Sequence, residues 1–233
     1  MRRLEVRTER VAASATTHGM RVLFASDLHL GWPWTSGVAR AVIERARELR
    51  PDAIALGGDL VDHRRALPTL ERLVRLLARV APVGAISGNH DRAVDRNLGR
   101  EAVRACAETA GATWLESRPL RIGDLTLAWS RDLPIARPTE TVVAVAHAPS
   151  EVPGGCHWRA AVAGHLHGGQ AIAFTHRGRH WPGTLLSRWC GDRFELPTGP
   201  LIVGRGAGDT LPLRFRCPKE VVVLELGSPA SGR

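Results

Sequence analysis

Residues 21–29 read Arg-Val-Leu-Phe-Ala-Ser-Asp-Leu-His. The run up to Ser26 suits a strand buried on both faces, and the chemically useful side chains, Asp27 and His29, come where it ends. Side chains two apart on extended backbone point the same way, so this carboxylate and this imidazole can hold one ion. Alone, such a pair is an ordinary turn. The same grammar then repeats. Ala53 to Leu56 is a second apolar run, closing in Gly57-Gly58-Asp59-Leu60-Val61-Asp62, and residues 82–86 are a third, closing in Gly88-Asn89-His90-Asp91. Between the runs, Val38, Val42, Ala46 and Leu49 recur at helical spacing before Pro51. Leu70, Leu73, Val74 and Leu77 share one face after Pro68, and a third helix is predicted over 98–109. Strand–helix alternation of this kind implies parallel pairing through right-handed crossovers.

The second half changes character. Short apolar runs at 119–129, 141–146, 160–163, 171–174, 200–204 and 220–226 sit between Gly- and Pro-rich turns. They predict a second sheet, more antiparallel than the first and packed against it. With no repeat, low-complexity tract or linker, one domain is expected over 1–233: a core of about 20–226, an N-terminal extension at 1–19 and a tail at 227–233. Two further motifs close strands in this half. His147 stands in Ala-His-Ala-Pro, and residues 164–170 read Gly-His-Leu-His-Gly-Gly-Gln, with His165 and His167 two apart. Ligands of open α/β sheets collect at the carboxyl ends of strands. Chance explains each motif singly, but not five in this order.

Read together, the motifs resemble those of the calcineurin-like metallophosphoesterases, whose pattern is DxH, GD, GNH(D/E), H and GHxH. The resemblance spans about residues 20 to 226. It implies a four-layer α/β/β/α sandwich of two mixed sheets, and hydrolysis of a phosphate ester by water activated between two metal ions. Carried over, Asp27, His29, Asp59 and His167 would hold one divalent or trivalent ion. Asp59, as the bridging carboxylate, would hold the other with Asn89, His147 and His165. Oxygen and imidazole ligands without thiolate suit Mn, Fe or Zn. His90 would be the general acid, oriented by Asp62 three residues after the bridging aspartate. The phosphoprotein phosphatase branch has a phosphate-gripping arginine after that position, where this chain has His63 and then Arg64. The segment from Gly204 through Gly208, Leu213 to Pro218 and Glu220 instead resembles the tail of bacterial phosphodiesterases of the family. A phosphodiesterase or pyrophosphate-bond hydrolase acting on a small or lipid-linked substrate is therefore expected. A nuclease, a phosphomonoesterase and a non-catalytic scaffold are the alternatives.

Substrate contacts are expected from Arg64, from Trp32 and Trp34 after the first ligand pair, and from Arg177 and His180 in the basic–aromatic stretch 176–181. A Trp-Pro loop packed over the core and a solvated hairpin tip explain the same residues. The net charge of +9 is almost wholly arginine, Lys219 being the only lysine. It favours anionic partners, although no dense basic block marks a nucleic-acid face. Cys106, Cys156, Cys190 and Cys217 form no CxxC pair and suit a reducing compartment, with pairing of Cys190 and Cys217 left open. No stretch approaches the ~20 apolar residues of a membrane span. A cytoplasmic location is expected, with peripheral contact at the inner membrane face as the other option.

Overall fold

In the computed structural model, which describes residues 4–93, 99–133, 139–154 and 158–227, most of the expected strands line up in two six-stranded sheets, joined by the unexpected Glu5–Ala12, Ala112–Trp114 and Arg193–Leu196. The first contains β1 (Glu5–Ala12), β2 (Arg21–Ala25), β3 (Ala53–Gly57), β4 (Val83–Ile86), β5 (Ala112–Trp114) and the last strand, Glu220–Gly227. Its order is β1, last strand, β2, β3, β4, β5, with every pair parallel except the last strand against β2. The sequence reading began this sheet at residue 21. The structure adds Glu5–Ala12 as its edge, in register from Glu5 opposite Glu220 to Ala12 opposite Gly227. Half-exposed alternation in β1 hides this strand from a search for continuous apolar runs.

The crossovers are α1 (Val38–Leu49), α2 (Leu67–Leu77), the short α3 (Asn89–Ala93) and α4 (Gly99–Thr109). Arg50 ends α1 in the left-handed conformation, its N–H returning to the Ala46 carbonyl just before Pro51. Leu70, Leu73, Val74 and Leu77 are all buried, as the periodicity of α2 requires.

The second sheet contains β6 (Leu120–Ile122), β7 (Leu125–Trp129), β8 (Thr141–Val145), β9 (Ala160–Ala163), β12 (Arg193–Leu196) and β13 (Gly199–Val203). Its order is β12, β13, β9, β8, β7, β6. The three inner pairs are parallel and only the edge pairs, β12–β13 and β6–β7, are antiparallel. It is more antiparallel than the first sheet, but through its edges alone. The strands β10 (Ile172–His176) and β11 (Arg179–Pro182) leave it to form a separate hairpin, and the last strand is β14.

Alternation along each strand sorts the side chains into layers. Leu23 of β2 packs with Ile54, Val42, Leu70 and Val74 beneath the helices. Its neighbours Val22 and Phe24 face the other way, meeting Leu127, Val143, Val162 and Ile202 of the second sheet. The far face of that sheet is covered among the described residues by loops bearing Trp158 and Trp189, the latter packed on Phe194 of β12. Phe24 lies against Gly57 and Gly204 so closely that a Cβ on Gly57 would stand 2.5 Å from its ring. The inter-sheet contact is thus set three residues before Asp27. Phe24→Ala is expected to cost about 3–5 kcal/mol, read from the denaturation midpoint. A cost below ~1 kcal/mol would mean that the sheets do not pack through this ring.

Candidate metal centre

All five motifs arrive at one place. Asp27, His29 and His167 present ligand atoms within 4.8 Å of one another, as do Asp59, His147 and His165, and as do His29, Asp62 and His90. The turns that deliver them are tight. Asp27, His29, Asp59, His165 and His167 all adopt positive φ, between 46° and 73°. For residues with a Cβ this conformation costs roughly 1–2 kcal/mol each, although Asp and His adopt it more readily than most. Two glycines make the approach feasible. A Cβ on Gly88 would lie 2.0 Å from Asp59 Oδ1, and one on Gly164 would lie 2.3 Å from Asp27 Oδ2.

Hydrogen bonds from the loops fix the carboxylates of the candidate site. Both carboxylate oxygens of Asp27 accept from the His165 N–H, at 3.0 and 3.1 Å. The His90 N–H donates to Asp59 Oδ1 at 2.8 Å. Asp91, fully buried, accepts from the Leu60, Val61 and Gly88 N–H groups at 2.9, 3.0 and 2.8 Å. It thereby clamps the third motif onto the second, and burial pushes its pKa up to about 6 despite those bonds. In the sequence, Asn89 and His90 read only as the close of the third apolar run. They begin α3 instead, with Asp91 reaching back to Gly88.

The imidazoles are equally constrained. His147 Nδ1 lies 3.0 Å from the Gly57 carbonyl, to which it donates. Its Nε2 faces Asn89 Oδ1 at 2.9 Å, Asp59 Oδ1 at 3.4 Å and His165 Nδ1 at 3.1 Å. His29 is arranged alike. Its Nδ1 donates to Asp62 Oδ1 at 2.9 Å, and its Nε2 faces His167 Nε2 at 3.1 Å and Asp59 Oδ2 at 3.8 Å. Lone pairs converging on one point repel unless a cation lies among them. The donor set therefore fits metal ions, and Asp59 offers one oxygen to each cluster.

The electrostatics agree. Burial lowers the pKa of His165, and the neighbouring His147 adds to it; burial also lowers that of His167, with His29 and Arg214 helping. Both rings are thus favoured in the neutral, ligating form. Burial alone would raise the Asp27 carboxyl, but His167, His147 and the Ser26 hydroxyl hold it below the usual range. At His29 burial is outweighed by the Asp62 hydrogen bond and by Asp27 and Asp59, which favour positive charge at that point.

His90 lies beside the clusters, its Nδ1 2.9 Å from the same Asp62 oxygen that holds His29. That hydrogen bond, working against burial, raises the His90 pKa. Asp62 is held well below the carboxylate range despite burial by His29, His90 and the Trp32 indole. Asn89 and His165 are exposed, which leaves the centre open on their side.

The expected substrate residues fare differently. Trp32 donates its indole N–H to Asp62 and stacks on Trp34 at 5.0 Å, while Trp34 donates to the Asp209 carbonyl. The pair braces the site, and Trp34 keeps an exposed face. Arg64 is exposed in the turn Arg64–Ala66, and Arg177 is exposed at the β10–β11 turn. His180 is a correction: it is buried, bonded to Asp192 at 3.0 Å and Thr175 at 3.2 Å, and cannot reach a substrate. Cys190 and Cys217 are free thiols flanking the turn after His167, and burial pushes Cys190 up to about 11. Cys106 is free as well, and Cys156 lies outside the described residues. Sequence reasoning missed Asp209 and Arg214. Arg214 approaches His167 Nδ1 at 3.2 Å and pairs with Asp209 at 2.6 Å, and both lie in the tail whose likeness to phosphodiesterases was its only signal.

The model of the calcineurin-like phosphoesterase family matches residues 20–177. Phosphodiesterase YaeI of Escherichia coli K12 is 29% identical over 88% of this chain and 82% of its own length. UDP-2,3-diacylglucosamine pyrophosphatase LpxG of Chlamydia trachomatis is 37% identical, over only 34% of this chain and 25% of that one. The solved structure of Pseudomonas putida nuclease MPE aligns with a TM-score of 0.40 at 18% identity, covering 83% of this chain and 78% of that one.

Gly88→Ala tests the close approach to Asp59. The variant is expected to fold, since the clash is confined to the site, yet to bind added Mn²⁺ at least about tenfold more weakly by calorimetry. Unchanged affinity would show that Asp59 does not need this contact.

Proposed function

Because the chain belongs to the calcineurin-like phosphoesterase family, we propose that it is a dinuclear-metal-dependent phosphodiesterase or pyrophosphate-bond hydrolase. The observation that carries this reading is the double convergence of acceptors on either side of Asp59, around His29 and His167 and around His147, His165 and Asn89. Asp27, His29, Asp59 and His167 would hold one ion; Asp59, Asn89, His147 and His165 the other. Two such cations, of Mn, Fe or Zn, supply charge for the phosphoryl oxygens and lower the pKa of a coordinated water toward ~7. Everything else falls to the chain.

Asp62 holds His29 and His90 through one oxygen, so metal ligand and proton donor are oriented together. A raised pKa keeps His90 protonated further toward neutral pH, as a general acid requires. Its half-exposed ring beside exposed Asn89 and His165 lies where a leaving oxygen can approach. The likeness to a phosphodiesterase along most of the chain, and the His63 departure, support a diester or pyrophosphate over a monoester. Exposed Arg64 and Arg177 and the open face of Trp34 remain the candidate substrate contacts.

Three outcomes are expected. The purified protein binds two transition-metal ions per chain by elemental analysis, and Asp59→Asn loses metal and turnover together; two tightly held ions with full activity in that variant would remove the bridging role. His90→Ala keeps its metal but loses roughly 10²–10⁴-fold in rate. The loss should shrink for nitrophenolate, which leaves without a proton, and equal losses with good and poor leaving groups would contradict the acid role. In a substrate screen, kcat/KM is higher for diesters or pyrophosphate-linked substrates than for a matched monoester. Preference for the monoester would make the enzyme a phosphomonoesterase, and cleavage of single- or double-stranded nucleic acid a nuclease.

A further inference from the structure

The exposed apolar side chains of this molecule are gathered, not scattered. Among the described residues, six of the exposed large hydrophobics lie on three surface loops, taking the β10–β11 hairpin with Phe174 as one, the turn bearing Leu185 and Leu186 as the second, and the stretch bearing Leu211, Leu213 and Phe215 as the third; only Val6 and Trp34 lie elsewhere. Leu186 is 92% exposed, Leu185 72% and Leu213 71%. Single exposed leucines are normal on a soluble domain, but such a concentration marks a binding face.

The three loops meet at one turn. The Phe215 N–H donates to the Gln170 carbonyl and the Ile172 N–H to that of Phe215, both at 2.9 Å, so residues 211–215 run beside the start of β10. Gly183 packs directly on Gly169, leaving room for no Cβ on either, and this places Leu185 and Leu186 just beyond the same turn. That turn follows His167, a ligand in the centre described above.

Charge on these loops has one sign. Residues 171–189 and 210–216 contain no Asp or Glu, in a chain that carries 23 of them, but include Arg177, Arg179, Arg188, Arg214 and Arg216. All of these arginines except Arg214 are exposed.

We propose that the three loops form a docking face for an anionic lipid bilayer. Leucine and phenylalanine enter the boundary between headgroups and acyl chains while the arginines engage lipid phosphates, the combination that holds a protein to an interface without a span. A nucleic acid would use the arginines and leave the leucines with nothing to bury against. A second copy in a two-fold contact would set arginine against arginine with no carboxylate between. The face does not depend on the hydrolase reading, because binding is measured without turnover.

The test is co-sedimentation of the full, metal-loaded chain with vesicles of phosphatidylcholine alone or mixed with phosphatidylglycerol. Partition onto the anionic vesicles is expected, weakening as salt rises. Leu185→Ser with Leu186→Ser, and separately Leu211→Ser with Leu213→Ser, should each reduce partition by about tenfold or more. Hydrolysis of a soluble chromogenic diester should be unchanged in both pairs. Arg188→Gln with Arg216→Gln should weaken binding to the anionic vesicles only. No partition onto either vesicle, or partition indifferent to both leucine pairs, overturns the proposal. So does a dimer in solution that the leucine variants split, which gives the face to a second copy, or oligonucleotide binding without vesicle binding, which gives it to nucleic acid.

Discussion

The rest of the site depends on the placement of Asp59 between two sets of imidazoles. One of its oxygens lies 3.4 Å from His147 Nε2 and the other 3.8 Å from His29 Nε2, while the His90 N–H holds the first in place. A carboxylate in that position needs compensating positive charge on both sides, and the surrounding chain is shaped to admit it. Gly58 and Gly88 touch almost backbone to backbone, and Asp91 ties their two loops together. Five of the candidate ligand residues tolerate left-handed backbone to reach the same centre. Strain of that kind survives only where surrounding contacts over-determine it. Here those contacts are the N–H bonds accepted by Asp27, Asp59 and Asp91.

A second consequence concerns Asp62. The resemblance gave it one duty, to orient His90, but the same oxygen also holds His29. A single carboxylate therefore sets the angle between a proposed metal ligand and the proposed acid. Its other oxygen takes the Trp32 indole, which in turn stacks on Trp34. Removing Trp32 would loosen Asp62 as well as any contact with substrate, so its loss cannot report binding alone. The tryptophans brace Asp62 and the Asp209 backbone even where Trp34 shows a face to solvent.

Most of the first sheet was legible in the sequence because apolar runs and Gly-Asp or Gly-Asn closures coincide there. Val38 to Leu49 and Leu67 to Leu77 form the expected helices, since periodicity and Pro51 or Pro68 agree. Edge strand Glu5–Ala12 was invisible, its alternating charges reading as an extension. The parallel centre of the second sheet was also hidden, because its crossovers lack the helical periodicity that normally reveals them. In the site, residue types and order were readable from motifs, but conformation was not. The letters alone do not tell that Asp27 or His167 sits at positive φ. Nor do they tell that Asp209 and Arg214, over forty residues along from His167, return to contact it.

His180 shows how one mistaken reading exposes a structural device. A histidine between Arg179 and Trp181 looks like part of an anion grip, yet its ring is buried and bonded to Asp192. Asp192 also accepts from Nε and Nη2 of Arg205, at 2.9 and 2.6 Å, and Arg205 stands next to Gly206, which packs on Asp27. Arg7 of the edge strand enters the same network through Glu220 and the Val203 carbonyl. Buried ion pairs add little net stability, because desolvation offsets most of their attraction. Their geometry, however, admits few alternatives. The chain from His180 through Asp192 and Arg205 to the backbone beside Asp27 thus fixes the β10–β11 hairpin relative to the metal centre. A hairpin that carries Phe174, Arg177 and Arg179 outward is held inward by a histidine that never reaches the surface.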